Sequence, residues 1–526
     1  MSKAYDAIII GGGHNGLVCA AYLARAGKRV LILEAADRVG GAAITREIIP
    51  GFKVSACAHL LYLLHPKVLA DLRLQDHGLK LSASEMPTIA LAEDGRHLTL
   101  STDSTVTAAS LSAHSAADAA ALPAFQAQMR RFAGIVQRVL AETPPRLGTR
   151  NRSDLVALVK LAWSIRRLGR QDMREFLRIA GMNVADVLEE HFETDLLCGA
   201  YAFDAVLGTR LGPRSPNSML TRLYRLAGGL RNGGGALAHP EGGMGALSEA
   251  LAASAKRAGA SISTGTRVKR ILVESDRAAG VVLDSGEEFA ANLVVSNADP
   301  KRTFLSLLGT EYLDTGFVRR IRDIPTRGTA AKLHLALDGL PSFSDVDRAQ
   351  LGGRLVIAPS VDYVERAFNH AKYGEYSEAP AIEITIPSLH DSTLAPVGKH
   401  VLSAIVQYAP AELKAGWDQA REPFADNVID TLIRYTPDLK DKIISRELLT
   451  PLDLEREFGM TGGHWHHGEL GLERFLMLRP VPGAAQYATP LPGLYLCGSG
   501  CHPGGGVMGA AGMNAAREVL AGRAAA

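Results

Sequence analysis

The chain of 526 residues is 47% hydrophobic and 21% charged, the balance of an ordinary globular protein with enough apolar residues for a sizeable core. Its length exceeds that of most single domains and predicts two large ones. The net charge of +2 excludes a global electrostatic attraction to nucleic acid, and no run of about 18 apolar residues predicts a membrane span.

The N-terminus and the cysteines predict the cellular compartment. The first apolar strand begins by about residue 6, which leaves no room for a signal or transit peptide. Five sparse cysteines are expected in the reducing cytoplasm. The only close pair, Cys497 and Cys501, lacks the CxxC spacing of a redox site. The clustered histidines at 464, 466 and 467 lack Cys or carboxylate partners at zinc-like spacing, so no metal site is predicted.

The first elements are a strand, a glycine-rich turn, a helix and a second strand. Apolar residues 7–10 lead into a GxGxxG turn at 11–16, and a second apolar run over 29–33 ends in Glu34. In a dinucleotide-binding βαβ unit the glycines permit the turn and bring backbone N–H groups to a pyrophosphate, while the acid accepts the ribose hydroxyls. The predicted nucleotide-binding residues of this unit are Gly11, Gly13, His14, Asn15, Gly16, Glu34 and Ala35.

The middle of the chain alternates between helical and extended patterns, which predicts an α/β fold. Residues 104–190 are predicted to be helical, and a further helix is predicted over 246–258. The predicted strands are 261–271, 280–284, 293–296, 330–337, 381–386 and 400–406.

Residues 146–178 carry a local excess of positive charge, with nine Lys or Arg and three Asp or Glu. Trp163 lies among apolar residues that recur at helical spacing. These apolar residues are Leu155, Leu158, Val159, Ala162 and Ile165. A basic amphipathic helix with an aromatic residue is typical of helices that lie on a membrane surface and admit a lipophilic substrate. The alternative is a lid helix packed on the domain with solvated arginines, and the pattern leaves both open.

The last predicted elements repeat the plan of the first. A strand over 493–497 precedes glycine-rich residues 498–506 and a helix from about Val507. Small residues in such a turn let the backbone lie against a planar ring, and the N-terminus of the helix stabilises negative charge near that ring.

Several further motifs carry a resemblance to a known family. They are Arg38-Val39-Gly40-Gly41 with Thr45, and the segments 240–245, 296–299, 462–463, 467–470 and 498–509. With the first turn they resemble the FAD-dependent superfamily of amine oxidases, carotenoid desaturases and GDP-dissociation inhibitors. Over almost the whole chain they resemble the phytoene dehydrogenase-related branch, which includes desaturase-like β-carotene ketolases. Ala42 stands where the family often has a second arginine, and Cys501 where relatives often have threonine.

The resemblance implies FAD as the cofactor. It implies an α/β fold with a Rossmann-type FAD-binding domain of the amine oxidase and phytoene desaturase kind, and a discontinuous α+β substrate domain. Together with the order of the elements, the resemblance predicts that residues 1–75, 235–300 and 486–526 form the FAD-binding domain. Residues 76–234 and 301–485 then form the substrate domain. The further residues that it implies at the cofactor are Arg38, Gly40, Gly41, Ala42, Val268, Gly498, Ser499, Gly506, Val507 and Met508.

Four residues are candidates for chemistry beside the flavin. His502, next to the predicted ring, is of the type best suited to proton transfer near neutral pH, or is a turn residue without such a role. His467 and Glu469 either face the cavity or hold the domain junction together. His59 lies in an apolar stretch, where a satisfied core histidine is the alternative to a residue of the flavin pocket.

The resemblance implies an oxidoreductase that transfers a hydride from a hydrophobic substrate, for example an isoprenoid or carotenoid-like one, to the flavin, with oxygen or a quinone as the final acceptor. An amine oxidase is the enzymatic alternative, although 6% aromatic residues do not indicate an aromatic cage. A further alternative is an FAD-bound scaffold or binding protein of the GDP-dissociation-inhibitor type. The expected partner is a hydrophobic small molecule and not nucleic acid. Peripheral membrane contact through residues 146–178 is left open. No feature of the sequence specifies an oligomeric state.

Overall fold

The computed structural model describes residues 5–148, 150–229 and 235–522. The small parts of the predicted ranges that fall on residues 1–4, 149, 230–234 and 523–526 lie outside the described residues. Two large sheets, each with its own apolar core, form the framework of the described chain, and helices pack on them.

The strands of the described residues are short and mostly buried. In chain order they are β1 (Tyr5–Ile10), β2 (Val30–Leu33), β3 (Thr45–Ile49), β4 (Phe52–Ser55), β5 (Leu81–Met86), β6 (Thr88–Leu91), β7 (His97–Leu100), β8 (Leu237–Pro240), β9 (Ser261–Ser263), β10 (Val268–Glu274), β11 (Arg277–Leu283), β12 (Glu288–Ser296), β13 (Ala330–Leu337), β14 (Arg354–Ile357), β15 (Ala381–Thr385), β16 (His400–Gln407), β17 (Ile443–Leu449) and β18 (Leu494–Leu496).

The helices fill the connections between these strands. In chain order they are α1 (His14–Arg25), α2 (Pro66–Asp71), α3 (Ser104–Ser112), α4 (Ala116–Leu140), α5 (Arg152–Arg166), α6 (Arg170–Ile179), α7 (Val184–Glu189), α8 (Asp195–Val206), α9 (Ser218–Leu226), α10 (Met244–Arg257), α11 (Thr315–Arg322), α12 (Val361–Lys372), α13 (Trp417–Ile433), α14 (Leu439–Lys442), α15 (Pro451–Phe458) and α16 (Ala510–Ala521). In the described part of the chain, none of them combines the length and the apolar character that a membrane crossing needs.

The first sheet carries the glycine-rich turn at the carboxyl end of β1. Its parallel strands follow the order β9-β2-β1-β12-β18, with Ile8 beside Leu31 on one side and Val294 on the other. Every residue of β2 is buried, which explains its continuous apolar sequence, because parallel strands covered on both faces do not alternate. Helix α1 packs between α10 and α16. The antiparallel strands β10 and β11 extend the sheet from the first residues of β12.

The second sheet has one apolar face and one polar face. Its order is β17-β13-β16-β15-β14-β6-β7, antiparallel except for the pair of β6 and β14. Leu333 and Leu335 of β13 lie in an apolar cluster with α13, whereas Lys332 and His334 alternate with them on the opposite face. His334 Nε2 contacts the carbonyl oxygen of Ala56 at 3.1 Å, so this polar face meets the chain that follows β4.

Two predicted elements differ from the structure for local reasons. The strand predicted over 261–271 is two strands, because Gly265 has a φ of +65° and turns the chain between β9 and β10. The helix predicted from Val507 begins at Ala510, because Gly506 and Gly509 have φ of +104° and +77°, outside the helical region.

The domain boundaries remain a prediction. The first sheet draws its strands from residues 5–33, 261–296 and 494–496. Strand β8 lies within the predicted range 235–300 of the first domain, but it pairs with β5, within the predicted range 76–234 of the second.

Candidate cofactor and active site

The glycine-rich turn between β1 and α1 leaves room for a ligand only because it lacks side chains. Gly11 has a φ of +94°, which favours glycine. A Cβ on Gly16 would lie 2.2 Å from the carbonyl oxygen of Gly11, and a Cβ on Gly13 would lie 2.9 Å from Asn297 Nδ2. Helix α1 begins at His14, and its N-cap Gly13 provides no side-chain hydrogen bond. The turn therefore presents the positive end of a twelve-residue helix, the usual place for a phosphate.

Glu34 organises the other side of the turn. Its carboxylate accepts the backbone N–H of Gly12 at 2.6 Å and that of Ala36 at 2.8 Å. The carboxylate thus stands at the end of β2, directly beside the glycine-rich turn, as the βαβ pattern predicts for a ribose-binding acid.

A cavity of about 640 Å³ joins these two elements. Twelve of the predicted site residues line it: Gly11, Gly13, His14, Glu34, Ala35, Arg38, Gly40, Gly41, Ala42, Val268, His467 and Ser499. They come from chain segments near 11, 40, 268, 467 and 499, so the cavity is a joint product of distant parts of the sequence.

Sequence reasoning missed a second group of lining residues. These are chiefly arginines and the residues around the end of α15: Arg46, Arg267, Asn297, Arg302, Arg456, Phe458 and Met460. Guanidinium groups are well suited to a diphosphate. Asn297 lies within the SNAD segment, directly after β12, and that position next to a parallel strand end was the signal that could have found it.

The predicted cofactor-binding residues that do not line the cavity lie in the segments next to it. Asn15 Nδ2 donates to Ser499 Oγ at 3.2 Å, which joins α1 to the turn after β18. A Cβ on Gly498 would lie 2.5 Å from the carbonyl oxygen of Asn297. The carbonyl oxygen of Met508 accepts the N–H of His65 at 3.0 Å. The other such residues are Gly16, Gly506 and Val507, of which Gly506 contacts Leu63 closely enough to exclude a Cβ.

Two histidines place unpartnered nitrogens at the cavity. Nε2 of His14 and Nδ1 of His467 are buried and have no hydrogen-bond partner within the described residues. Burial, and then the neighbouring His467, lower the pKa of His14 to about 4, and burial lowers the pKa of His467 to about 4. Both are therefore neutral at physiological pH. Each offers one nitrogen to a bound polar group.

His502 and Glu469 do not line the cavity. His502 Nε2 donates to the carbonyl oxygen of Val139 at 3.0 Å, and burial lowers its pKa to about 4. Glu469 accepts the N–H of Arg210 at 2.8 Å and hydrogen-bonds His464 Nε2 at 3.3 Å. The contact between Glu469 and Arg210 holds the segment after α15 against the loop after α8. The catalytic roles predicted for His502, His467 and Glu469 remain predictions.

His59 lies in a buried polar chain on the second sheet. Its Nε2 is 2.8 Å from Glu383 Oε1 and its Nδ1 is 2.6 Å from Lys332 Nζ. Because a carboxylate only accepts, Nε2 carries the proton of the neutral ring and Nδ1 accepts from the amine. Arg354 pairs with Glu383 and, at 2.7 Å, with Asp204. All these side chains except Asp204 are almost completely buried.

Burial sets the protonation of this chain. It lowers the pKa of Lys332 to about 7, against the opposing charge of Glu383, so part of the amine is unprotonated at neutral pH. Burial also lowers the pKa of His59 to about 4. Burial acts to raise the pKa of Glu383, but Arg354 and the hydrogen bond from His59 outweigh it and hold this pKa well below its ordinary value.

The polar chain adjoins the cavity through Cys57. Cys57 packs in one apolar cluster with Met460 and Ala42, which line the cavity, and it interacts electrostatically with Lys332. Sequence reasoning missed Lys332 and Glu383. The signal was a charged residue in the middle of an otherwise apolar strand, as in AAKLHLAL and AIEIT.

The sheet order, the glycine-rich turn and the acid at the end of β2 define a Rossmann-type dinucleotide-binding protein. The residues fit FAD. Glycines replace the side chains that would fill the diphosphate position, Glu34 stands where a ribose is held, and two unpartnered histidine nitrogens face the cavity.

The chain belongs to the flavin containing amine oxidoreductase family, whose profile matches residues 16–520. It is 40% identical to pyridine nucleotide-disulfide oxidoreductase domain-containing protein 2 of Rattus norvegicus, over 98% of this chain and 93% of that protein. It is 28% identical to one of the polypeptides of limonene dehydrogenase from Castellaniella defragrans, over 98% of this chain and 94% of that one. A crystal structure of an oxidoreductase from Methanosarcina mazei superimposes with a TM-score of 0.62 at 18% identity, covering 98% and 99% of the two chains.

These comparisons confirm the predicted fold class and the FAD cofactor. The protein is an FAD-dependent oxidoreductase of the amine oxidase fold. The narrower placement in the phytoene dehydrogenase-related branch belongs to the proposal that follows.

Proposed function

We propose that the protein is an FAD-dependent dehydrogenase of hydrophobic, isoprenoid-like substrates, of the phytoene dehydrogenase-related kind. In this reaction a substrate C–H bond gives up a hydride, which bound FAD would accept, the neighbouring carbon gives up a proton, and a C=C bond forms. Oxygen or a quinone then takes the two electrons. The observation that carries the proposal is the buried Lys332–His59–Glu383 chain beside the cofactor cavity, with an amine that is partly unprotonated at neutral pH.

FAD, when bound, supplies the hydride acceptor. The chain supplies a place for the proton, because the unprotonated Nζ of Lys332 has a lone pair that can take it. His59 Nδ1 accepts a hydrogen bond from Nζ at 2.6 Å and fixes its position. Glu383 fixes the ring of His59 in turn and stays charged beside Arg354, so its negative charge stabilises Lys332 once the amine has taken the proton.

The surroundings of Cys57 favour an apolar substrate. Cys57, Leu449, Leu454 and Met460 form a buried apolar cluster, and Met460 also lines the cavity. The likeness to the limonene dehydrogenase polypeptide supports the same substrate class, since limonene is an isoprenoid hydrocarbon.

Amine oxidation is the second candidate, because the family is described by that activity. The charges of the polar chain act against it. Three guanidinium groups, those of Arg222, Arg225 and Arg354, pair with only two acids, Asp204 and Glu383. A protonated amine would add a further positive charge to a site that already has an excess.

The test is anaerobic reduction of the bound flavin. The purified protein, loaded with FAD, is mixed with isoprenoid hydrocarbons in detergent and, separately, with primary and secondary amines. Loss of the visible flavin absorbance with hydrocarbons, and a dehydrogenated product by mass spectrometry, supports the proposal. Reduction by amines alone makes the protein an amine oxidase. Retention of FAD without reduction by either panel supports the scaffold alternative.

A further inference from the structure

Helix α5 presents apolar side chains to solvent. Leu155, Val156, Val159 and Trp163 are 46%, 52%, 67% and 63% exposed, and α5 has no buried residue. A helix on the surface of a globular protein usually turns its apolar stripe inward and its polar residues outward. Here the outward stripe is the apolar one.

The four side chains share one face. At 100° per residue, positions 155, 156, 159 and 163 fall within about 100° of one another. The apolar residues that the sequence predicts as one stripe of α5 therefore lie on two different sides of the helix. Leu155 and Val159 point outward, whereas Leu158 and Ile165 are half-buried on the inward side, where Ile165 packs against the apolar core of the helical region.

Basic side chains frame this face. Arg152, Lys160, Arg166, Arg167 and Arg170 are exposed, and none of them forms an ion pair with any residue in 5–148, 150–229 or 235–522. The one acid of α5, Asp154, is half-buried on the inward side. The outward face of α5 thus combines an apolar stripe, one tryptophan and uncompensated positive charge.

We propose that the outward face of α5 docks on an anionic lipid bilayer. The apolar stripe enters the boundary between headgroups and acyl chains, and Trp163 places its amphipathic ring at that level. The basic side chains bind the lipid phosphates. Charge complementarity selects this occupant over a second copy of the chain, because two copies meeting at this face would bring their arginines together.

The position of α5 relates its outward face to the entry of a lipophilic substrate, and this relation rests on the proposed function. A cavity of about 240 Å³ lies between α4 and α5, where apolar residues such as Val139, Leu161 and Trp163 line it together with the charged residues Arg138, Glu142, Lys160 and Arg167. The carbonyl oxygen of Val139 accepts a hydrogen bond from His502, in the turn after β18. This cavity therefore lies beside the outward face of α5, on the side of the helix that is nearer to the turn after β18.

Vesicle binding tests the proposal without any substrate, so its failure is separate from failure of the proposed function. The FAD-loaded protein is mixed with vesicles of phosphatidylcholine alone or with an equal amount of phosphatidylglycerol, and sedimented. Binding is expected only to the anionic vesicles and should weaken with added salt. The fluorescence of Trp163 should shift to shorter wavelength and be quenched by brominated lipids, whereas Trp163→Phe should lose most of this signal.

Matched variants separate the apolar and the basic contributions. Val159→Ser with Trp163→Ser, and Arg166→Glu with Arg167→Glu, should each weaken binding roughly tenfold or more. The controls are Tyr373→Ser with Val397→Ser, two exposed apolar residues elsewhere, and Arg319→Glu with Arg320→Glu on α11. Equal binding by all variants, or equal binding to neutral vesicles, would overturn the proposal. So would a dimer in light scattering that Trp163→Ser dissociates while vesicle binding persists.

Discussion

The carboxylate of Glu383 accepts the Nε2–H of His59 at 2.8 Å, although 324 positions separate the two residues in the chain. His59 follows the βαβ unit and its phosphate-binding turn, whereas Glu383 stands in the middle of β15 in the second sheet. The pair therefore connects the segment that follows the βαβ unit, beside the cofactor cavity, to the polar face of the second sheet.

Glu383→Gln should destabilise the protein by about 3–5 kcal/mol at pH 7, because it leaves the buried Arg354 without its full counter-charge. Urea unfolding of the FAD-loaded protein measures the difference. Glu375→Gln, which removes an exposed partner of Lys414, is the control and should change stability by less than about 1 kcal/mol. A Glu383 variant as stable as this control would contradict the buried pair.

Glu383 should also make the protein sensitive to acid. Its folded pKa lies well below the unfolded value of 4.5, so its contribution to stability is fully present above pH 4.5 and is lost as the pH falls through the folded pKa. The difference in melting temperature between the native chain and Glu383→Gln should therefore shrink on acidification below about pH 4. A constant difference from pH 7 to pH 3 would show that the carboxylate is not held in this way.

Lys332→Met should have an effect that depends on pH. The folded pKa of Lys332 is about 7 against 10.5 unfolded, so the folded native protein holds fewer protons between these values and gains stability as the pH rises. The variant lacks this gain. Its stability relative to the native protein should be greatest at pH 7 and fall by about 1.4 kcal/mol per pH unit towards pH 9. Lys414→Met, at an exposed lysine, should leave a difference that does not vary in this way.

Gly13→Val should abolish retention of FAD. Even a Cβ there would lie 2.9 Å from Asn297 Nδ2, and the branched side chain would fill the position of the diphosphate. Gly134→Val is the control, because its Cβ would meet nothing within 4 Å and Gly134 lies within α4. The chromophore released on denaturation of each purified variant is identified by mass. Stoichiometric FAD in a folded Gly13→Val protein would refute the cofactor site.

The cysteines should be unreactive in the native protein. All five are buried and free, and burial raises the pKa of Cys198 and of Cys501 to about 12. A thiol reagent such as DTNB should therefore report almost no fast reaction before denaturation and five thiols afterwards. Only three thiols after denaturation would indicate a disulfide, and fast reaction before denaturation would contradict the burial of the cysteines.

The phosphate-binding βαβ unit was largely predictable, because its physics is local. Gly11, Gly13 and Glu34 lie within one βαβ unit, and the backbone that binds a diphosphate needs the same small residues wherever that unit occurs. The start of α16 was less predictable, because the conformation of the turn at Gly506 and Gly509, not the apolar pattern, sets where that helix begins.

The polar chain at Lys332 was not predictable by the same means. Lys332 and Glu383 become neighbours of His59 only through the pairing of β13 and β15 with β16, and nothing short-range in the sequence specifies that pairing. Likewise, spacing alone predicted one apolar stripe on α5, and only the packing of Leu158 and Ile165 on the inward side shows which part is left outside.

The late position of β18 has a consequence for synthesis on the ribosome. Strand β12 ends at Ser296, but its parallel neighbour β18 begins at Leu494, about 200 residues later. At usual translation rates the edge of β12 stays open for about 10–40 s. An unpaired strand edge is a template for pairing with other chains, so the nascent chain is more exposed to aggregation during that interval. Ser499, which joins the last turn to Asn15, follows only then, so the cavity that it lines is complete only near the end of synthesis.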